Sequence, residues 1–181
     1  MTFFTPDLYC RYNAADDAEA DLADEEWERA LRAYREYLAK HSPDMSARVK
    51  EVAGNLSLHD AEFLAIQEDA VSAYRHPPQF DPFSIATISV REGVTITNLI
   101  YFLTSPIEVT SPEPDWPFSQ HCTHWLYDEI HVETNELNAV SYWHNILWSD
   151  GRVTSIPFLD VIVQSYSIQN PEAAVIAKKR A

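Results

Sequence analysis

A chain of 181 residues, 46% hydrophobic and 12% aromatic, has the apolar material to bury a core without disulfide or metal staples. Its formal net charge of -15 works against a nucleic-acid phosphate backbone or an anionic membrane as partner, because both would repel it within a Debye length. Solubility is the simplest use of that charge; a cation or a basic protein partner are the alternatives.

Taken in order, Phe3, Phe4, Leu8 and Tyr9 make an apolar opening in which Thr5-Pro6 reads as a cap and first helical residue. Residues 16 to 40 predict a long helix, with Trp27, Leu31, Tyr34 and Leu38 on one stripe and Glu25/Arg29, Glu28/Arg32 and Glu36/Lys40 four apart on the exposed face. Eight acids and no base lie between Asp16 and Glu28, which suits the positive end of a helix and also offers an acidic docking surface. A second helix is expected from Pro43 to about Val52, capped by Ser42 and stopped at Gly54-Asn55.

From Leu58 the period changes to that of strands. Residues 84 to 91 and 94 to 103, rich in Ile, Val and Thr, predict a hairpin across Glu92-Gly93. Four prolines between Thr104 and Thr123 predict a stiff surface loop. The sheet resumes at Trp125, and Asp150-Gly151 predicts a two-residue turn pairing Tyr142 to Ser149 with Arg152 to Ile156. The expectation is one α+β domain, with a helical part over 1–56, an antiparallel sheet of six or seven strands over 57–168 and a tail over 169–181, the helices lying on one sheet face.

With three glycines there is no Gly-rich phosphate loop. Cys10 and Cys122 form no C-x-x-C pair and read as reduced thiols, and the N-terminus has neither a basic n-region nor an apolar core, so a cytoplasmic location is expected.

Phe3-Phe4-Thr5-Pro6-Asp7-Leu8-Tyr9, Leu58-His59-Asp60-Ala61, Trp125-Leu126-Tyr127-Asp128-Glu129 and His144-Asn145-Ile146-Leu147 occur in the order found in an uncharacterised bacterial domain-of-unknown-function family, which the chain resembles over most of its length. Its helical region is shorter than that pattern. The resemblance implies a single domain and carries no activity.

Strand alternation groups Asp128 with Leu126, Ile130 and Val132, Asp60 and Glu62 with Leu58, Leu64 and Ile66, and His144 with Tyr142, Ile146 and Trp148. If those faces are one, Asp60, Asp128 and His144 converge with Glu62 nearby. Two carboxylates and an imidazole can bind a divalent ion or act as acid and base; they can equally be buried acids paired with a backbone donor or an arginine such as Arg91 or Arg152. Their spacing matches no metal-ligand pattern, and structural use is the simpler account. His121, Cys122 and His124 form a second, weaker metal candidate that lacks a second spaced pair. Trp143, Trp148 and the aromatics of the Pro-rich loop leave the sheet face away from the helices too apolar to be fully solvated, so that loop covers it or a partner or second copy does.

These features favour a non-catalytic, acidic protein-binding module without a cofactor, comparable in type to toxin-neutralising immunity proteins. The alternative is a metal-dependent hydrolase or small-ligand protein built on Asp60, Glu62, Asp128 and His144.

Overall fold

The computed structural model describes residues 1–71, 83–112, 116–118, 122–136 and 138–168. Three helices precede seven strands: α1 (Pro6–Tyr12), α2 (Asp17–His41), α3 (Ala47–Gly54), β1 (Glu62–Val71), β2 (Phe83–Glu92), β3 (Thr95–Leu103), β4 (Glu108–Thr110), β5 (Trp125–Thr134), β6 (Val140–Trp148) and β7 (Val153–Ser167). The fold is α+β, with an N-terminal helical region packed against an antiparallel sheet. None of the described helices is long and apolar enough to cross a membrane.

The helices start where short polar side chains satisfy free amides. The Thr5 hydroxyl accepts from Leu8 N, and Asp16 accepts from the amides of Ala18 and Glu19. Trp27 and Tyr34 are buried on α2, as their spacing predicted, and Glu25–Arg29 and Glu28–Arg32 form loose surface ion pairs. The third helix departs from the expectation. Ser42-Pro43-Asp44 forms only a 3₁₀ turn, and α3 begins after Ser46, whose Oγ accepts from Val49 N at 3.2 Å. Pro43 can open a helical turn, but the stronger cap, Ser46, lies three residues later. Tyr142 anchors this corner, its hydroxyl donating to Asp44 O and accepting from Ser46 N.

The sheet runs β1-β2-β3-β7-β6-β5, with β4 beside the start of β7. The β2–β3 hairpin turns at Gly93 (φ +56°), where the sequence placed it. The strand expected from Leu58 instead begins at Glu62. Asp60 takes φ +66°, and Leu58 O accepts from Ala61 N in a turn. That turn brings the ends of the sheet together: Asp60 N donates to Trp125 O, Trp125 N to Ala61 O and Phe63 N to Thr123 O. The first and last strands of the sheet therefore meet at one end, and the sheet is rolled into a half-closed barrel.

The Asp150-Gly151 turn is in its expected place but is of another type. Gly151 N donates to Trp148 O and Trp148 N to Arg152 O, so three residues make the loop, and of the Asp150-Gly151 pair only Gly151 (φ +83°) takes a positive φ. Asp150 keeps a negative φ, and its carboxylate accepts from Arg152 N, Arg152 Nε and Thr123 Oγ1.

Inside the roll, Leu58, Ile88, Leu99, Tyr101, Trp125, Ile130, Ile146, Trp148, Ile156 and Phe158 pack with Met45, Val49 and Val52 from α3 and the segment before it. A second cluster joins Phe4, Leu8, Trp27 and Tyr34 to Tyr127 on the other face of β5. Trp116 of the Pro-rich loop packs with Leu126, Leu147 and Val153, so the described part of that loop covers apolar sheet surface.

Candidate functional site

β5 and β6 run antiparallel with Ile130 opposite His144 and Asp128 opposite Ile146, which puts Asp128 and His144 diagonally adjacent on the inward face. Their side chains meet: Asp128 Oδ2 lies 2.9 Å from His144 Nε2. On the other side of the ring, His144 Nδ1 is 2.9 Å from the Tyr101 hydroxyl of β3. Trp125 Nε1 completes the chain, donating to Asp128 Oδ1 at 2.9 Å. One tautomer satisfies every atom, with Nε2–H donating to Asp128 and Nδ1 accepting from Tyr101.

His144 and Tyr101 are fully buried, while the Asp128 side chain keeps a quarter of its surface. Burial pushes the Tyr101 phenol well above its ordinary pKa, with the Asp128 charge adding to it, so the hydroxyl keeps its proton and can donate a hydrogen bond to His144 Nδ1. Among the described residues every buried side-chain nitrogen and oxygen has a hydrogen-bond partner. The two grooves that flank Arg48, of about 310 and 420 Å³, are lined by Ala47, Arg48, Glu51, Phe102, Leu103 and residues of β7 from Leu159 to Val163. Neither touches the Asp128–His144 chain. The network links three strands across the core.

The other sequence candidates lie elsewhere. Asp60 is exposed in its turn and pairs with His59 at 3.0 Å. Glu62 pairs with Arg91, its Oε2 2.9 Å from Arg91 Nε. Arg152, weighed as a partner for the buried acids, is instead held by Asp150. The four-residue convergence therefore reduces to Asp128 and His144, because the backbone turn at Asp60 removes it from the strand. Leu126 also leaves the expected face: a bulge between Trp125 and Tyr127 sends it to the Trp116 cluster. Trp148 is a core residue whose Nε1 donates to Thr154 Oγ1, and Trp143, on the opposite face, donates to Glu133. Of the second metal candidate, His121 lies outside the described residues; Cys122 is exposed and His124 bridges to Glu62 through its backbone. Among the described residues no group of three His, Cys, Asp or Glu side chains is placed to hold a metal ion.

A second polar centre went unread in the sequence. Glu129 is fully buried on the face of β5 opposite Asp128, where its carboxylate accepts from the amides of Thr2, Phe3 (2.8 Å) and Phe4 (3.3 Å) and lies 3.0 Å from His131 Nε2. Burial raises its pKa, but the His131 hydrogen bond and the Phe3 and Thr2 amides outweigh that and hold it below the ordinary value. Glu129 thereby fastens the N-terminal segment to the sheet. Along the same strand, Tyr34 accepts from Ile130 N at 2.6 Å and Tyr37 from Val132 N at 2.8 Å, so α2 tyrosines occupy hydrogen-bonding groups on the edge of β5. The backbone amides that Glu129 accepts from lie more than a hundred residues away in sequence.

No protein-family model matches the chain, and comparison with curated proteins finds no match.

Proposed function

We propose that the protein is a small, acidic, non-catalytic module that binds a basic protein partner in the cytoplasm. The observation that carries the reading is the division of its polar groups: the buried side-chain nitrogens and oxygens among the described residues all have hydrogen-bond partners, whereas unpaired charge lies outside. Asp17, Glu19, Asp21 and Asp24 are exposed along the first half of α2, and no lysine or arginine among the described residues pairs with them. Such a surface speeds encounter with a cationic partner and rejects anionic ones. The unbridged thiols of Cys10 and Cys122 fit a reducing compartment. In size, charge and lack of a catalytic signature the chain is of the same type as toxin-neutralising immunity proteins, a likeness of kind without matched residues.

The test is affinity capture of the tagged chain from its native lysate at low and moderate salt, with mass spectrometry of what is retained. A stoichiometric basic protein released by salt is the expected result. A chain that retains a divalent metal or a small molecule and no protein would overturn it. Asp128→Ala addresses the hydrolase alternative: it is expected to destabilise the fold by about 1–3 kcal/mol, by leaving His144 and Trp125 without their acceptor, and to leave metal content unchanged.

A further inference from the structure

The two edges of the rolled sheet are treated differently. On β5, Tyr34 and Tyr37 take up edge amides, as described above. On β1, pairing beyond the strand's start is confined to β2: the contacts with Thr123 and His124 involve only Phe63 and Glu62. From Leu64 to Asp69 the other edge has no backbone partner among the described residues, and all six residues are exposed. Over this length β1 stands out from the body as a strand with one open side.

Its chemistry selects what can pair there. Phe63 pairs with Val90 and Ala65 with Ser89, so Leu64 is the extra residue of a bulge, and the regular strand resumes at Ala65. Ile66 is 40% exposed, beside the 39% exposed Leu64. Beyond them Glu68 and Asp69 point to opposite faces, opposite Ala86 and Ile85 of β2, so no cation of the neighbouring strand neutralises them; Asp69 accepts only from Gln67 Nε2. β1 contains no lysine, arginine or proline, the residues that most often blunt an open edge. A second copy is a poor occupant, because pairing two such edges brings together two chains of charge -15 with acids at the contact.

We propose that the open edge of β1, Leu64 to Asp69, takes an extended segment of a partner protein as an added strand, and that this segment carries two adjacent lysine or arginine residues beside aliphatic ones. Backbone hydrogen bonds to the edge would supply register, cations would meet Glu68 and Asp69, and aliphatics would cover Leu64 and Ile66. The inference rests on the binding reading above and names its site.

The experiment is a titration of the isotope-labelled chain with a synthetic peptide of valines flanking a pair of adjacent lysines, followed by amide NMR, on the natural chain and on the double variant Glu68→Lys/Asp69→Lys. Both positions are exposed, so the variant is expected to fold, which the unchanged amide pattern of β5 and β6 would show. The natural chain should be monomeric before peptide is added, the amides of residues 64–69 should shift, and the variant should bind roughly tenfold or more weakly. Shifts confined to α2, equal affinity in the variant, or a peptide-free dimer joined through β1 would each overturn the edge as the site. Capture from lysate separates the two levels: a basic partner retained equally by the variant sinks the edge and leaves the binding reading standing, whereas no partner on the natural chain sinks the binding reading itself.

Discussion

Replacing Glu129 with glutamine tests whether a buried carboxylate fastens the N-terminal segment to β5. The carboxylate faces four donors, the amides of Thr2, Phe3 and Phe4 and His131 Nε2. Glutamine keeps one acceptor oxygen and turns the other into a donor. With its oxygen toward Phe3 and Phe4, its NH₂ opposes Thr2 N–H and His131, so at least one buried donor loses its partner, costing about 1–3 kcal/mol. The remaining bonds lose their charge assistance, and since hydrogen bonds to a charged group are worth more than neutral ones, the two losses together cost about 3–5 kcal/mol. For a chain of this size each kcal/mol lowers the melting temperature by about 2–4 °C, so Glu129→Gln should lower it by about 6–20 °C in a calorimetric scan. Hydrogen exchange at Thr2 to Phe4 should accelerate by more than at β6. A shift below about 2 °C would refute the role given to Glu129.

Glu129 and Asp150 also set the acid limit of the fold. Burial pushes the Asp150 carboxyl up, but hydrogen bonds from Arg152 and Thr123 and the Arg152 charge outweigh it and hold it low, as Glu129 is held low. Both folded-state values lie below the unfolded ones, so both groups stabilise fully above the unfolded pKa of about 4 and lose that contribution as pH falls through the folded values. Urea midpoints should therefore be flat near neutrality and fall below about pH 4, and the fall should be shallower in Glu129→Gln. Gly151→Ala forces a side chain to φ +83° and places its Cβ 2.6 Å from Trp116 Cδ2 and 2.7 Å from Pro112 Cβ, so a loss of about 2–5 kcal/mol is expected from urea unfolding. Tyr34→Phe leaves Ile130 N–H without its acceptor at a cost of about 1–3 kcal/mol, and with Tyr37→Phe added, light scattering should show the uncapped β5 edge self-associating.

What the sequence made legible follows from the range of the interaction involved. The α2 stripe, the Glu92-Gly93 hairpin and the position of the Asp150-Gly151 turn rest on neighbours in the chain, and each is where local spacing put it. Alternation was also enough to bring Asp128 and His144 to one face, because β5 is regular beyond its bulge. Asp60 and Leu126 went astray at a turn and a bulge, where a one-residue slip reverses every side chain. Tyr101 was passed over as one aromatic among β3 aliphatics; its role depends on β7 lying between β3 and β6, which no local pattern specifies. Glu129 was illegible for a similar reason, since all but one of its hydrogen-bond partners are backbone amides, which every sequence possesses.

That central place of β7 has a kinetic meaning. β1, β2 and β3 form consecutive antiparallel pairs, and β5 and β6 form another, but along most of their length the two groups are joined by β7, the last strand among the described residues. A nascent chain that ends before Val153 can form hairpins and join them only through the short contact between the start of β1 and that of β5, so assembly of the full core must wait until β7 has left the ribosome. Until then the inward faces of β3 and β6, with Tyr101 and His144 among them, have no common wall, and the hydrogen-bond chain that later links them is one of the last parts of the molecule to form.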